Sequence, residues 1–345
     1  MSSNSNNLGR AYEYAWIISL HKIISLKCNA KIVKNSSFDA NKRAWDTISE
    51  KTKNMFLASI ITSVKKILEL EPRILEKGMG DIELSFQKDE EGAKGDVRDI
   101  VLKRDSISWE IGLSIKHNHE AVKHSRLSYK LDFGKEWFNI PCSEEYWKTI
   151  KPVFDMLQKE KLRKTKWSEI KNKDTKVYIP LLQAFVDEIK RSYKKDSHLP
   201  QKMVEYLVGT KDYYKVVSED KKELTIIYTY NLNKNLNASS KTRKPLDTVP
   251  PVILPTKLID IGFKKNSKNT VEMYLDEGWQ LSFRIHSAST FVEPSLKFDV
   301  QFINMPNSIM HFECKWKDIK QNEKNIPTSK KPLLKEQNLS EEYER

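Results

Sequence analysis

The chain has 345 residues, of which 39% are hydrophobic, and its 60 Lys and Arg residues outnumber 47 Asp and Glu residues. This composition supports a substantial core in one large domain or two smaller ones, and no run approaches the roughly 18 apolar residues of a membrane span. The formal net charge of +13 favours a polyanionic partner such as nucleic acid, although a lysine-rich composition alone also produces it. The N-terminal segment shows no secretion signal and the three cysteines are widely spaced, so we expect a reducing, cytoplasmic environment.

Helical patterns dominate the N-terminal half of the chain. The stretch from Gly9 to Leu26 is apolar and predicts a buried helix that carries Glu13 near its start. A second helix is predicted from Ser49 to Pro72, where the proline ends it. Pro152 lies inside a later helical pattern and is expected to break or kink that helix. The later helices are predicted over 118–131, 143–164, 177–195 and 199–209.

Strand patterns dominate after Thr210. The segments 212–218 and 223–230 alternate and predict a hairpin, and 231–256 is a long polar loop. Four further strands are predicted over 270–275, 279–286, 296–303 and 310–316. The tail after Lys317 is charged, and we expect it to be disordered. The predicted organisation is a helix-rich core over 1–210, a β-rich region over 211–317 and a charged tail over 318–345.

The stretch "GDVRDIVLKRDSISWEIGLSIKHNH", from Gly95 to His119, combines strand patterns with acidic and basic residues. It predicts two strands, Ile100–Leu102 and Ile107–Ile115, joined by a turn around Asp105. In the second strand, apolar residues alternate with Glu110, Gly112, Ser114 and Lys116, so one face is apolar and the other polar. The turn folds the two strands antiparallel, so the numbers of two facing residues should add up to about 210 to 212. Asp99 then lies opposite Gly112 or one of its two neighbours, and Asp96 lies opposite one of residues 114 to 116.

Acidic side chains of the first strand thus meet the polar face that carries Lys116. Carboxylates that converge beside a lysine form a hard-oxygen site that suits Mg²⁺. Such a metal ion lowers the pKa of a bound water and holds phosphate oxygens, and the lysine offsets the charge that builds up in the transition state. This is the chemistry of phosphodiester cleavage, although a solvated charged sheet edge shows the same pattern.

Three stretches resemble the HaeIII-type restriction endonucleases. They are Asn6–Trp16, "NNLGRAYEYAW"; Glu120–Trp147, which continues the hairpin; and Gly278–Phe302, "GWQLSFRIHSASTFVEPSLKFDVQF". The resemblance spans most of the chain up to about Trp316. It implies an α/β (α+β) fold with a PD-(D/E)XK nuclease-like core, in which helices flank a mixed sheet, and a C-terminal antiparallel β region. It also implies Mg²⁺-dependent cleavage of double-stranded DNA at a short palindrome, GGCC, in a restriction-modification system; the rival hypothesis is a non-catalytic, basic nucleic-acid-binding protein.

The sequence departs from the PD-(D/E)XK nuclease pattern at Ser114, two residues before Lys116, where an Asp or Glu is expected. Glu110 lies on the same face but about 20 Å from Lys116 along a straight strand, too far to share one metal ion. We therefore expect the second acid from Glu120, at the start of the following segment, or from Glu13 on the first helix.

The choice of the aspartate is open between Asp99 and Asp96. Asp99 directly precedes the apolar run, as in the family pattern, whereas Asp96 fits the simple register near Lys116 better. We favour Asp99. The predicted catalytic residues are Asp99 and Lys116 with Glu120 or Glu13, and the predicted metal ligands are Asp99, Glu120 and Asp96.

The resemblance also indicates residues that contact DNA. Arg284, His286 and Ser287 lie at the end of a strand and in its following loop; arginine pairs with guanine O6 and N7 in the major groove, which suits a target of G·C pairs only. Lys297 and Arg126 are further candidates. A palindromic target suggests a two-fold homodimer, at least during cleavage, and a cognate DNA methyltransferase that acts on the same site.

Overall fold

Two β-sheets and the helices around them make up the part of the chain that the computed structural model describes, namely residues 2–87, 95–118 and 122–316. The helices are α1 (Ser2–Ser25), α2 (Ser36–Thr47), α3 (Glu50–Leu70), α4 (Phe133–Phe138), α5 (Glu144–Leu162), α6 (Ile179–Lys195) and α7 (Leu199–Val208). The strands are β1 (Ala30–Val33), β2 (Ile82–Phe86), β3 (Ile100–Arg104), β4 (Trp109–His117), β5 (Lys123–Ser128), β6 (Tyr213–Glu219), β7 (Leu224–Tyr230), β8 (Leu258–Phe263), β9 (Thr270–Leu275), β10 (Gln280–His286), β11 (Ser295–Asn304) and β12 (His311–Lys315).

The larger sheet has seven strands in the order β1-β2-β3-β4-β6-β7-β12. The pairs β1/β2 and β4/β6 are parallel and the other neighbours are antiparallel. This confirms the expected mixed sheet. Ile111, Leu113 and Ile115 of β4 enter one core together with Trp16 of α1 and Ile60 of α3. The polar face of β4 is thereby fixed at the centre of the sheet.

The smaller sheet has five antiparallel strands in the order β5-β11-β10-β9-β8. Leu281, Phe283 and Ile285 of β10 are fully buried in a second core, which also contains apolar residues of α4, α5, α6 and α7. Because side chains alternate along a strand, the opposite face of β10 carries its polar residues. The sheet therefore presents one apolar face to helices and one polar outer face.

Local sequence signals set the ends of the predicted helices. The Ser49 hydroxyl accepts a hydrogen bond from the backbone N–H of Thr52 at 3.3 Å and caps α3, which ends before Pro72. Gly209 follows α7 with a φ of 79°, a conformation that glycine adopts without strain. The predictions of the first two helices and of the helix that ends at Gly209 are therefore confirmed.

Two helical expectations are wrong. The segment 118–131 is not a helix: Lys123–Ser128 forms strand β5 of the smaller sheet. Leu127 of this strand is buried and Arg126 is exposed, so the segment has the period of a strand. Pro152 does not break α5, which runs without interruption from Glu144 to Leu162; Pro152 is exposed, so the carbonyl that loses its partner can be hydrated.

Each sheet contains strands from both sides of residue 210 in the sequence. Strands β6, β7 and β12 follow residue 210 and complete the larger sheet, whereas β5 precedes residue 210 and forms an edge of the smaller sheet. The expected division into 1–210 and 211–317 is thus not a division of the sheets and stays a prediction, and the predicted tail, 318–345, lies outside the described residues. Within the described residues, no helix has the length and apolar character that crossing a membrane requires.

Candidate active site

The β3–β4 hairpin is confirmed, but its register is shifted from the expected one. Ile100 pairs with Leu113 and Val101 with Gly112, and the backbone N–H of Asp99 donates to the carbonyl of Leu113 at 2.8 Å. A short 3-10 turn over Asp105–Ile107 produces this register. The expectation that Asp99 lies opposite Gly112 or its immediate neighbours is therefore wrong, and the shift brings Asp99 closer to the end of β4.

The Asp99 carboxylate is held at the end of β4 by three donors. Its Oδ2 accepts hydrogen bonds from the backbone N–H of Ile115 at 2.6 Å, from Lys116 Nζ at 3.1 Å and from the Ser114 hydroxyl at 3.4 Å. The side chains of Asp99 and Lys116 are 22% and 32% exposed, so a bound molecule can reach both groups. Ser114, at the position where the PD-(D/E)XK pattern predicted an acid, donates to the aspartate instead of adding a second carboxylate.

Glu13 of α1 lies in the electrostatic field of this pair. Tyr12, the residue before Glu13, packs against His117, the residue after Lys116, with ring centroids 5.3 Å apart. Asn41 of α2 donates to Glu13 Oε2 at 2.9 Å. The structure thus brings Glu13 from the first helix to the end of the hairpin.

The pKa values of Glu13 and Lys116 are both raised in this cluster. Burial and the nearby Asp99 carboxylate raise the pKa of Glu13 to about 8, against the opposing effects of Lys116 and Asn41. Burial lowers the pKa of Lys116, but the carboxylates of Asp99 and Glu13 outweigh it and the pKa is raised. The lysine is therefore an ammonium group, and Glu13 holds a proton near neutral pH.

Asp96 belongs to a different ion-pair group. Its two oxygens accept from the Arg98 guanidinium, with the shortest contact at 2.7 Å, and Gln87 donates to it at 2.6 Å. Arg98 Nη1 also contacts Glu110 Oε1 at 3.0 Å. Burial alone would raise the pKa of Asp96, but the hydrogen bonds and charge of Arg98 hold it below its ordinary value. Asp96 is thus engaged by Arg98 rather than by Lys116.

The sequence analysis did not identify Arg98 as part of the site, and it did not explain why a glycine stands at position 112 inside a strand. A Cβ atom on Gly112 would lie 2.0 Å from Cδ of Arg98, so this glycine makes room for the arginine to cross β4. Arg98 itself is only 6% exposed and directly precedes Asp99. An isolated glycine inside an alternating strand is the available sequence signal, since it often marks a close approach.

Glu120 and His119 lie outside the described residues, so the first candidate for the second acid stays a prediction. Among the residues that the structure does describe, no group of three or more His, Cys, Asp or Glu side chains is arranged to hold a metal ion. Asp99 and Glu13 are the predicted acids that the structure brings together with Lys116. Two carboxylates and an ammonium group can position water and a phosphate for hydrolysis.

The predicted DNA contacts lie on the outer face of the smaller sheet. His286 of β10 pairs with Lys297 of β11, which pairs with Arg126 of β5. Directly paired residues project on the same face, so these three side chains form one row, which we call the basic row. Arg284, two residues before His286, pairs with Asp299, and Ser287 follows β10 and accepts a hydrogen bond through its carbonyl from the His286 ring at 2.9 Å.

This arrangement is consistent with a nuclease. A hairpin aspartate is hydrogen-bonded to a lysine at the centre of a mixed sheet, a glutamate of a flanking helix lies in their field, and a second sheet presents a basic row. The family model of the HaeIII restriction endonuclease matches residues 9–306, and the chain belongs to this family.

A relative with a known activity supports the same conclusion. The chain is 50% identical over 319 residues to the type II restriction enzyme HaeIII of Haemophilus aegyptius, and the alignment covers 92% of this chain and 100% of that protein. No solved structure matches the chain. The resemblance predicted from the sequence is confirmed: the protein is a restriction endonuclease, and double-stranded DNA is its substrate.

Proposed function

We propose that this restriction endonuclease cuts both strands of DNA at GGCC by Mg²⁺-dependent hydrolysis, and that Asp99, Glu13 and Lys116 form its active site in a PD-(D/E)XK-like core. The observation that carries the proposal is the 3.1 Å contact between Lys116 Nζ and Asp99 Oδ2 beside a glutamate whose pKa is raised to about 8. GGCC is the target that the resemblance to HaeIII-type enzymes implies.

The donor set fits a magnesium ion. Mg²⁺ prefers oxygen ligands and usually keeps several waters, and one or two carboxylates with substrate phosphates complete its shell. Burial and the negative charge of Asp99 raise the pKa of Glu13, so a divalent cation would replace the proton that Glu13 holds in its absence. When bound, the ion would activate a water and stabilise phosphate oxygens.

The protein groups then have separate roles. Asp99 is fixed by the backbone N–H of Ile115 and by the Ser114 hydroxyl, so its carboxylate is pre-positioned before substrate arrives. Glu13 supplies the second carboxylate from α1 and is oriented by Asn41. Lys116, held as an ammonium group, stabilises charge on the phosphate as the attacking water adds to phosphorus. Glu120 stays an alternative to Glu13.

A plasmid cleavage assay tests the proposal. We expect discrete fragments with Mg²⁺, none after addition of EDTA, and fragment ends that sequencing places within GGCC. Lys116→Ala should abolish cutting and spare binding, because Lys116 acts on the transition state. Lys103→Ala is the matched control, since Lys103 lies on the same hairpin and forms an exposed ion pair with Asp105 at 3.1 Å; this variant should cut normally.

Three results would contradict the proposal. A retarded but intact plasmid would support the rival, non-catalytic binder. Cutting by Lys116→Ala would remove this lysine from the mechanism. Loss of cutting in Glu120→Gln with retention in Glu13→Gln would transfer the role of the second acid to Glu120.

The partners and the cellular setting are also part of the proposal. We propose that two copies act as a dimer on the palindrome, which size measurement of the enzyme with and without a GGCC duplex would test. A cognate methyltransferase would protect the same site, so DNA methylated at GGCC should resist cutting. Both activities would meet DNA in the cytoplasm.

A further inference from the structure

Arg284 and Asp299 form an ion pair on the outer face of the smaller sheet, next to the basic row. Arg284 Nη2 donates to Asp299 Oδ2 at 3.1 Å, and the two side chains are 54% and 11% exposed. The arginine thus reaches into solvent from a carboxylate that is almost buried. Sequence reasoning identified Arg284 as a DNA contact and missed Asp299.

Among the described residues, Arg284 is the charged hydrogen-bond partner of the Asp299 carboxylate. Its Oδ1 is buried and has no hydrogen-bond partner among the described residues, and its Oδ2 accepts only a long bond of 3.4 Å from Gln301 besides the arginine. A buried carboxylate is stable only when a cation compensates it. Among the described side chains, Arg284 is the cation that bonds to Asp299, so the carboxylate favours one position of the exposed guanidinium.

Asp299 is an acid directly beside cationic residues of this face. The neighbouring basic row, His286, Lys297 and Arg126, suits a polyanion, whereas Asp299 repels phosphate. A role in orienting a cation explains why an acid stands among these residues. A guanidinium has five N–H donors in a rigid plane, and Asp299 receives one bond from it, so enough donors are left for a two-bond contact with O6 and N7 of a guanine.

We propose that Asp299 is a positioning residue for sequence recognition, which fixes the guanidinium of Arg284 so that it reads a guanine in the major groove. This inference rests on the proposed function and adds a residue that determines specificity.

The distance to the active site is compatible with one bound duplex. Arg126 of the basic row follows Lys116 by ten residues, so their Cα atoms lie at most about 35 Å apart. Val122, shortly after β4, donates from its backbone N–H to the carbonyl of Val300 at 3.0 Å. The smaller sheet is thus anchored next to the end of the strand that carries Lys116.

Two substitutions and a matched control test the inference by binding in EDTA, where nothing is cut. Arg284→Lys keeps the charge but loses the planar fork, and Asp299→Asn keeps the shape but loses the charge. The control is Glu272→Gln, which removes the charge of Glu272 on β9 from its ion pair with Lys264, the residue that follows β8. This pair joins at 3.2 Å with side chains 53% and 16% exposed, nearly the same exposure as the Arg284–Asp299 pair. The probes are a GGCC duplex and duplexes with one G·C pair replaced by A·T.

We expect both variants to lose about 10- to 100-fold in discrimination between the GGCC duplex and one replaced duplex, while binding to unrelated DNA changes little. The double variant Arg284→Lys with Asp299→Asn should lose no more than Arg284→Lys alone, because Asp299 acts through the arginine. Glu272→Gln should discriminate like the parent protein. Thermal denaturation midpoints close to that of the parent protein would show that the fold is retained.

Two outcomes would overturn the inference. If Asp299→Asn discriminates like the parent protein, Asp299 does not position a reader. If Arg284→Lys discriminates like the parent protein, the planar fork of Arg284 does not read a base. Failure of the proposed function is seen separately, since the unmodified enzyme would then leave GGCC plasmids uncut in Mg²⁺ whatever the binding data show.

Discussion

Replacing Glu13 with glutamine should stabilise the metal-free enzyme at neutral and alkaline pH and abolish cutting. In the folded protein, burial and the Asp99 carboxylate raise the pKa of Glu13 from 4.5 to about 8. The folded protein therefore keeps a proton that the unfolded chain releases. The stability that this proton contributes is complete below a pH of about 4.5, decreases as the pH rises to about 8, and is absent above that value. The amide of the Glu13→Gln variant does not titrate, so its stability lacks this dependence.

The magnitude follows from the two pKa values. The difference between 4.5 and about 8 corresponds to at most about 5 kcal/mol, of which about 3 kcal/mol is already lost at neutral pH. The amide of Glu13→Gln can still accept the hydrogen bond of Asn41 through its oxygen, so packing is retained.

Urea denaturation of both proteins between about pH 5 and pH 9 in EDTA measures this effect. The difference in free energy of unfolding should grow in favour of Glu13→Gln by up to about 4 kcal/mol across this range. Addition of Mg²⁺ should stabilise the parent protein and not the variant, by about 2.7 kcal/mol at a hundredfold excess over its Kd. Glu144→Gln, at a side chain that is 86% exposed, is the control. Parallel curves for Glu13→Gln and the parent protein would refute the buried, proton-holding glutamate.

The remaining predictions concern the residues around Asp99. Asp99→Asn should abolish cutting and lower the pH at which Glu13 titrates, because the Asp99 charge raises the pKa of Glu13; the denaturation series above would show this shift. Gly112→Ala should cost about 1–3 kcal/mol in free energy of unfolding, since its Cβ would lie 2.0 Å from Cδ of Arg98. Gly262→Ala, where nothing lies within 4 Å, is its control in the same denaturation assay.

The hairpin was predictable because its signal is local. Apolar residues alternate with polar ones from Trp109 to Lys116, and this period alone gives the strand, its buried face and the polar face. The predicted register of the hairpin strands was wrong because the 3-10 turn over Asp105–Ile107 has no distinctive sequence pattern. A shift of this size changes which aspartate meets Lys116, and sequence reasoning therefore left Asp99 and Asp96 open.

Strand β5 was missed because its stabilising contacts are distant in sequence. Its inward residue Ser125 is polar and is buried because it exchanges a hydrogen bond with the hydroxyl of Tyr206 at 3.0 Å, so the alternation of apolar residues is lost. Its partner strand β11 begins only at Ser295. The second acid was left open for the same reason, since Glu13 reaches the hairpin only through the packing of α1 on β4.

The interleaved sheets predict that the first 210 residues do not form an independent nuclease, although they contain Asp99, Glu13 and Lys116. In the fragment 1–210, β4 loses its parallel partner β6 and β5 loses β11. The buried residues of β4 would then border an open sheet edge, which promotes aggregation. We expect this fragment to be insoluble or to unfold without a cooperative transition, and we expect co-expression with 211–345 to restore folding and cutting. Circular dichroism melts and plasmid cleavage measure both outcomes. A folded, active fragment 1–210 would contradict the dependence on later strands that the sheet order indicates, since β5, the strand after Lys116, already belongs to the smaller sheet.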